Sequence, residues 1–210
     1  VGVYKLSAPG TFKTERTLYK SFLTGNTSTP IITDTGNMFP LGEFTLTSTQ
    51  SFVEFTNIPQ TYTHLQLRML TRSSEVSSGQ DSLAFRLNGD SGTNYSWHYL
   101  QANGVSVAAS SGSNFNCGIF GAQTSSGHTA GMFSGFVADF LDYKNTNKFK
   151  AVQILGGNET NGTGTEPGHI RFSSSLWRNT NAITSIRIAS GGDFARSLVA
   201  NCNFALYGVV

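Results

Sequence analysis

The stretch "HLQLRM", residues 64–69, sets Leu65, Leu67 and Met69 at every second position with His64, Gln66 and Arg68 between them. A period of two sends successive side chains to opposite faces of a pleated chain, so the segment reads as a half-buried β-strand. The same rhythm continues on either side. Upstream, Phe44 and Leu46 alternate with Thr45 and Thr47; downstream, Leu83, Phe85 and Leu87 alternate with Ala84 and Arg86. Further strands are expected at 51–56, 95–101, 116–122, 131–143, 148–155, 169–177, 182–189 and 201–209. Short strands at this density, separated by Gly, Ser, Asn and Thr, predict an all-β fold, an antiparallel β-sandwich, in which nothing after residue 43 requires a helix.

Within that frame, "GMFSGFVADFLDY" at 131–143 is apolar on both faces as far as Asp139 and Asp142, which predicts a central strand covered on both sides. The polar, Gly-rich "GGNETNGTGTEPG" at 156–168 predicts an exposed loop. In "LNGDSGTNYSWH", residues 87–98, the Asn-Gly-Asp triplet supplies residues that tolerate positive φ, so a turn with a bulged loop over 88–94 is expected.

Residues 1–42 read differently, as an arm ahead of a sandwich domain at 43–210. Alternation is missing there, and Pro9, Gly10, Gly25, Pro30, Gly36 and Pro40 interrupt the chain, so the segment reads as an arm and not as sheet. One helical pattern lies inside it: Thr14 can cap, Leu18, Tyr19, Phe22 and Leu23 share a face, and Gly25 can close the last turn. Lys5, Lys13, Arg16 and Lys20 against Glu15 leave the first 20 residues with a net charge of +3. So short a helix is marginal alone, so its apolar face must dock, on its own sandwich or on a neighbouring subunit. Lys13, Arg16, Leu18, Tyr19, Phe22 and Leu23 are therefore the candidate partner-binding residues.

Composition narrows the function classes. Charged residues make up 12% of the 210, about half the usual share, and the net charge is +2 with no Lys/Arg-rich run, which argues against nucleic acid as a partner. No apolar stretch approaches the roughly 18 residues of a membrane span. The first ten residues lack the apolar centre of a signal peptide, so a soluble protein that is not secreted is expected. Cys117 and Cys202 are too few for a metal knuckle; they read as small buried hydrophobes, with a single bridge as the other option.

A catalytic set is not evident. Carboxylates fall mostly at predicted turns, at Asp34, Asp81, Asp90, Glu159, Glu166 and Asp193. A strand would point Asp139 and Asp142 to opposite faces, which leaves no acid pair for glycosidase chemistry. His64, His98, His128 and His169 show no metal-ligand spacing, and neither a nucleophile elbow nor a phosphate loop is present. A protein that is not an enzyme and uses no cofactor is expected. Tyr95, Trp97 and Tyr99 share one strand face and could form a sugar platform, but the same spacing is that of a core face, and Trp177 reads as core too.

Two segments carry a resemblance. "SFVEFTNIPQTYTHLQLRMLTRS" at 51–73 and "FRLNGDSGTNYSWHYL" at 85–100 resemble a module of bacteriophage virion proteins, through Ile58, Pro59, Tyr62, His64, Leu65, Gln66, Arg68, Phe85, Asn88, Gly89, Asp90, Asn94, Tyr95, Trp97 and His98. "ITSIRIAS" and "FALYGV" near the end resemble its closing strands, so the likeness spans about residues 44–210 and leaves out the arm. The resemblance implies a jelly-roll-like sandwich on a phage particle, and it carries no catalytic residues. The leading expectation is a capsid decoration, or cement, protein in the virion, bound to the major capsid protein or other virion proteins and self-associated, by class, as a trimer. The other expectations are a tail or fibre protein holding a host glycan or receptor, with 156–168 and 90–97 as contact surface, and a tail structural adaptor.

Overall fold

The computed structural model describes residues 2–5, 37–160 and 167–210, the first four as backbone only. The described chain forms β1 (Gly2–Lys5), β2 (Met38–Thr45), β3 (Val53–Thr56), β4 (His64–Thr71), β5 (Gln80–Leu87), β6 (Tyr95–Ala102) and β7 (Val107–Phe115). It continues through β8 (Gly118–Thr124), β9 (Ser134–Phe140), β10 (Lys150–Asn158), β11 (His169–Trp177), β12 (Ile186–Ser190) and β13 (Asn203–Val209). The strands build a five-stranded sheet, β1-β3-β12-β5-β8, and an eight-stranded sheet, β2-β13-β4-β9-β10-β11-β6-β7. All pairs are antiparallel except β1 with β3. The expected helix and the six candidate partner-binding residues lie outside the described residues.

β4 sits between β13 and β9, as its alternation requires: Leu65, Leu67 and Met69 are buried and Arg68 is exposed. The sheets close on Phe55, Phe85, Phe120, Phe140 and Phe204 with Leu65, Leu67, Tyr95, Tyr143 and Trp177, all within 1% of full burial. Each such side chain contributes about 1.5–3 kcal/mol by leaving water. The Phe85 ring meets Phe120 at 4.6 Å and Phe140 edge-on at 5.8 Å, which ties both sheets to one aromatic centre.

Four sequence expectations are corrected. The segment read as arm contributes β1 and the first half of β2, so the eight-stranded sheet starts at Met38 and not at residue 43. Pro40 and Gly42 hide the alternation, and Pro40 is tolerated because β2 is an edge strand, with a register shift opposite Leu206/Tyr207. β7 was not among the expected strands, since "VAASSGSNF" has no apolar alternation; it is exposed almost throughout and is held by backbone pairing to β6. β9 is central, but only one of its faces is covered: Val137 remains 37% exposed. Gly156, Gly157 and Asn158 extend β10 and pair with Arg171, Ile170 and His169, so the 156–168 loop is shorter than expected. A Cβ at Gly156 would fall 2.1 Å from the Phe136 ring, so glycine is what lets that ring lie against the strand.

Candidate functional site

The uncovered face of the eight-stranded sheet can be built residue by residue from its register. Side chains directly opposite one another on neighbouring strands point to the same face. Across β4, β9, β10, β11, β6 and β7 one row runs Arg68, Val137, Leu155, Phe172, Leu100, Ala109. The next row runs Leu70, Gly135, Gly157, Ile170, Ala102, Val107. These side chains face away from the core: Leu70 is 51% exposed, Leu155 52%, Phe172 55%, Leu100 54%, Ile170 60% and Val107 72%. An apolar band across six adjacent strands is the kind of patch that soluble monomers seldom leave open.

The band has a shape and polar borders. Around the side-chainless pair Gly135 and Gly157 the surface is concave, with a volume of about 1070 Å³ lined by Leu70, Val137, Leu155, Ile170, Arg68 and Tyr207 among others. The row on its other side is polar: Gln66, Asp139, Gln153, Ser174, His98 and Ser111. There Gln66 donates to Asp139 at 2.9 Å and Arg68 Nε donates to Gln66 at 3.0 Å, while the Arg68 guanidinium lies 5.5 Å from the Tyr207 ring. The apolar band thus has a fixed polar edge that can set the orientation of whatever covers it.

The aromatic face of β6 is divided by depth. Tyr95 is fully buried and its hydroxyl donates to the Asp90 carbonyl. Trp97 is half-buried, stacks on Tyr99 at 5.7 Å, and packs against the cluster of Ala84, Cys117 and Ile119. The core reading therefore holds for Tyr95 and Trp177, while Tyr99 lies outside the core.

The Asn-Gly-Asp triplet forms a tight turn, with positive φ at Asn88 and Gly89 and a 2.9 Å bond from Asp90 N to Leu87 O. Asp90 accepts from Trp177 Nε1 at 2.7 Å, Asn94 Nδ2 at 2.9 Å and Gly92 N at 2.8 Å. Burial works against the Asp90 carboxylate, but these hydrogen bonds outweigh it and hold the group below the usual carboxylate range.

Three other carboxylates and one histidine are held in structural contacts. Glu54 pairs with Arg187, Glu75 with Arg196, and Asp142 with Lys148. Asp142 lies past the end of β9 with positive φ, and its backbone N donates to His64 Nδ1 at 2.8 Å. Among the described residues no three His, Cys, Asp or Glu side chains gather in a way that could hold a metal ion. Cys117 and Cys202 are free and buried, and burial pushes each thiol up to about 11.

No protein-family model matches the chain, and no curated protein matches it. Among solved structures, the carbohydrate recognition domain of Emp47p is 11% identical, with 83% of this chain and 90% of that chain covered and a TM-score of 0.23. The SPRY domain of human HERC1 is 10% identical, with 75% and 91% covered and a TM-score of 0.19. At these scores neither likeness bears on fold family or ligand.

Proposed function

We propose that this protein is a structural component of a bacteriophage particle, a capsid decoration protein with a jelly-roll-like sandwich, that binds the shell and neighbouring subunits. The observation that carries the reading is the apolar band of Leu70, Val137, Leu155, Ile170, Phe172 and Leu100 on a sheet face that no described segment covers. Covering one such half-exposed side chain returns about 1 kcal/mol. A band of six therefore supports stable docking once the cost of association is met. Low charge density favours close packing against other copies, and the arm, with Lys13, Arg16, Leu18, Tyr19, Phe22 and Leu23, supplies a second contact in this reading.

The test uses particles stripped of the protein, purified chain added back, and the double variant Leu155→Glu with Phe172→Glu. Both side chains face out of the sheet, so the variant should melt within a few degrees of the parent. Its binding to particles should fall at least tenfold. Full occupancy by a folded double variant would overturn the reading.

A further inference from the structure

On its inner side the eight-stranded sheet overhangs the smaller one. β8, the edge of the five-stranded sheet, packs over β10, β11 and β6, while β7 is exposed on both faces. The strip of β6 and β11 beside β8 therefore forms a ledge. By register its inward residues are Asn158 opposite His169, then Arg171 opposite Gln101, then Ser173 opposite Tyr99, then Ser175 opposite Trp97.

A single stack organises this ledge. The Arg171 guanidinium carbon lies 3.4 Å from the Tyr99 ring centroid, Tyr99 stacks on Trp97 at 15°, and Trp97 meets Phe115 at 5.7 Å. Gly112 permits the stack, since a Cβ there would fall 2.5 Å from the Phe115 ring and 2.7 Å from Trp97. Gly121 of β8 lies alongside the Arg171 stem, its Cβ position being at ordinary contact distance, 3.6 Å, from Arg171 Cδ. The guanidinium is thus oriented by packing, and among the described residues no carboxylate pairs with it.

Polar groups beside it also lack partners. Both amide atoms of Asn158, Ser173 Oγ and Arg171 Nε are buried without a hydrogen bond, and the buried His169 ring has only the Ala122 backbone as a partner. His169 is only 7% exposed and Ser173 3%. Buried polar atoms are nearly always satisfied in folded proteins, so the unsatisfied atoms of Asn158, Arg171 and Ser173 on one face of adjacent register positions point to a place for a polar guest. Burial and the neighbouring Arg171 charge push His169 below the ordinary histidine range, against a smaller opposing pull from the Ala122 backbone. At neutral pH the ring is therefore uncharged, one nitrogen donating and one accepting.

We propose that this ledge is a carboxylate-binding site, with Arg171 as anchor and Asn158, His169 and Ser173 as hydrogen-bonding partners. A guanidinium held over an aromatic ring, its carbon 3.4 Å from the centroid, presents a two-nitrogen edge that matches the two oxygens of a carboxylate. One fixed positive charge suits a monoanion; a phosphate dianion calls for more cationic groups than the described ledge holds. The inference is independent of the outer-face docking band.

The full chain is titrated at constant ionic strength with acetate, galacturonate, N-acetylneuraminate, inorganic phosphate and neutral galactose, following Trp97 fluorescence and the Arg171 Nε–H resonance. Saturable binding of carboxylates is expected. It should weaken at least tenfold in Arg171→Lys, disappear in Arg171→Gln, and remain unchanged in a variant of the exposed Lys144, Lys144→Gln. Tighter binding of the sugar acids than of acetate identifies an acidic glycan as the source, and equal binding identifies the carboxylate group alone. Tyr99→Leu removes the stack and keeps the charge, so it reports even if an Arg171 variant misfolds; it should weaken binding severalfold. No saturable carboxylate binding, equal binding of phosphate or galactose, or binding indifferent to Arg171 and Tyr99 would overturn the proposal.

Discussion

Asp90 shows how much one side chain can organise. It joins the β5–β6 turn to the end of β11 by accepting from the buried Trp177 indole, and Tyr95 completes the knot by accepting from Leu87 N and donating to the Asp90 carbonyl. Asp90→Ala leaves the indole without its acceptor and should cost about 2 kcal/mol, read as a lowered denaturation midpoint. The pH dependence has a definite sign. The folded carboxyl titrates below its unfolded value, so its contribution is present above the unfolded pKa and is lost as pH falls through the folded one. The stability gap between the parent and Asp90→Asn should therefore narrow as pH drops below about 4. The cysteines make a second prediction at this scale. With both thiols buried and raised to about 11, a thiol reagent at mildly alkaline pH should label neither in the native chain and both after denaturation. Rapid native labelling would contradict that burial.

At the scale of the element, glycines set what the central strands can do, and they do not act alike. At Gly156 an added Cβ would meet the Phe136 ring at 2.1 Å, whereas at Gly135 it would meet only Leu70 Cδ2, at 3.9 Å. Gly156→Ala should destabilise by about 1–3 kcal/mol through overpacking, and Gly135→Ala should be neutral or slightly stabilising. Thermal melts of the two variants check the contrast. The same strands show where sequence reading succeeds. β4 was legible because its buried apolar face alternates with polar residues, and the bounds expected for β11 coincide with those observed even though its apolar Ile170 and Phe172 lie on the open face. β7 was not legible, since both of its faces meet solvent and only its backbone pairing makes it a strand. The outer band had a signal, in apolar residues at the outward positions Leu100, Leu155, Ile170 and Phe172. It escaped notice because alternation says which residues share a face and not which of two apolar faces is left open.

For the whole molecule, the two sheets share one core, and the segment before Asn37 touches it through the pairing of β1 with β3 alone among the described residues. A chain beginning at Asn37 should fold cooperatively, with a modestly lowered melting temperature and an unchanged eight-stranded sheet. Under the decoration reading its binding to particles should fall. Circular dichroism and a particle-binding assay separate the two effects, and full binding by the truncated chain would remove the arm from the proposed contact.

The sequence by itself determined the fold class, most strand positions and the Asn-Gly-Asp turn, because period-two burial and positive-φ residues are local properties written into neighbouring positions. Only the tertiary structure decided the rest. Which apolar residues line up into one open band depends on register between strands far apart in the chain. Whether an arginine finds a carboxylate or an aromatic ring depends on which sheet overhangs the other. Those are long-range pairings, and neither composition nor spacing encodes them one segment at a time.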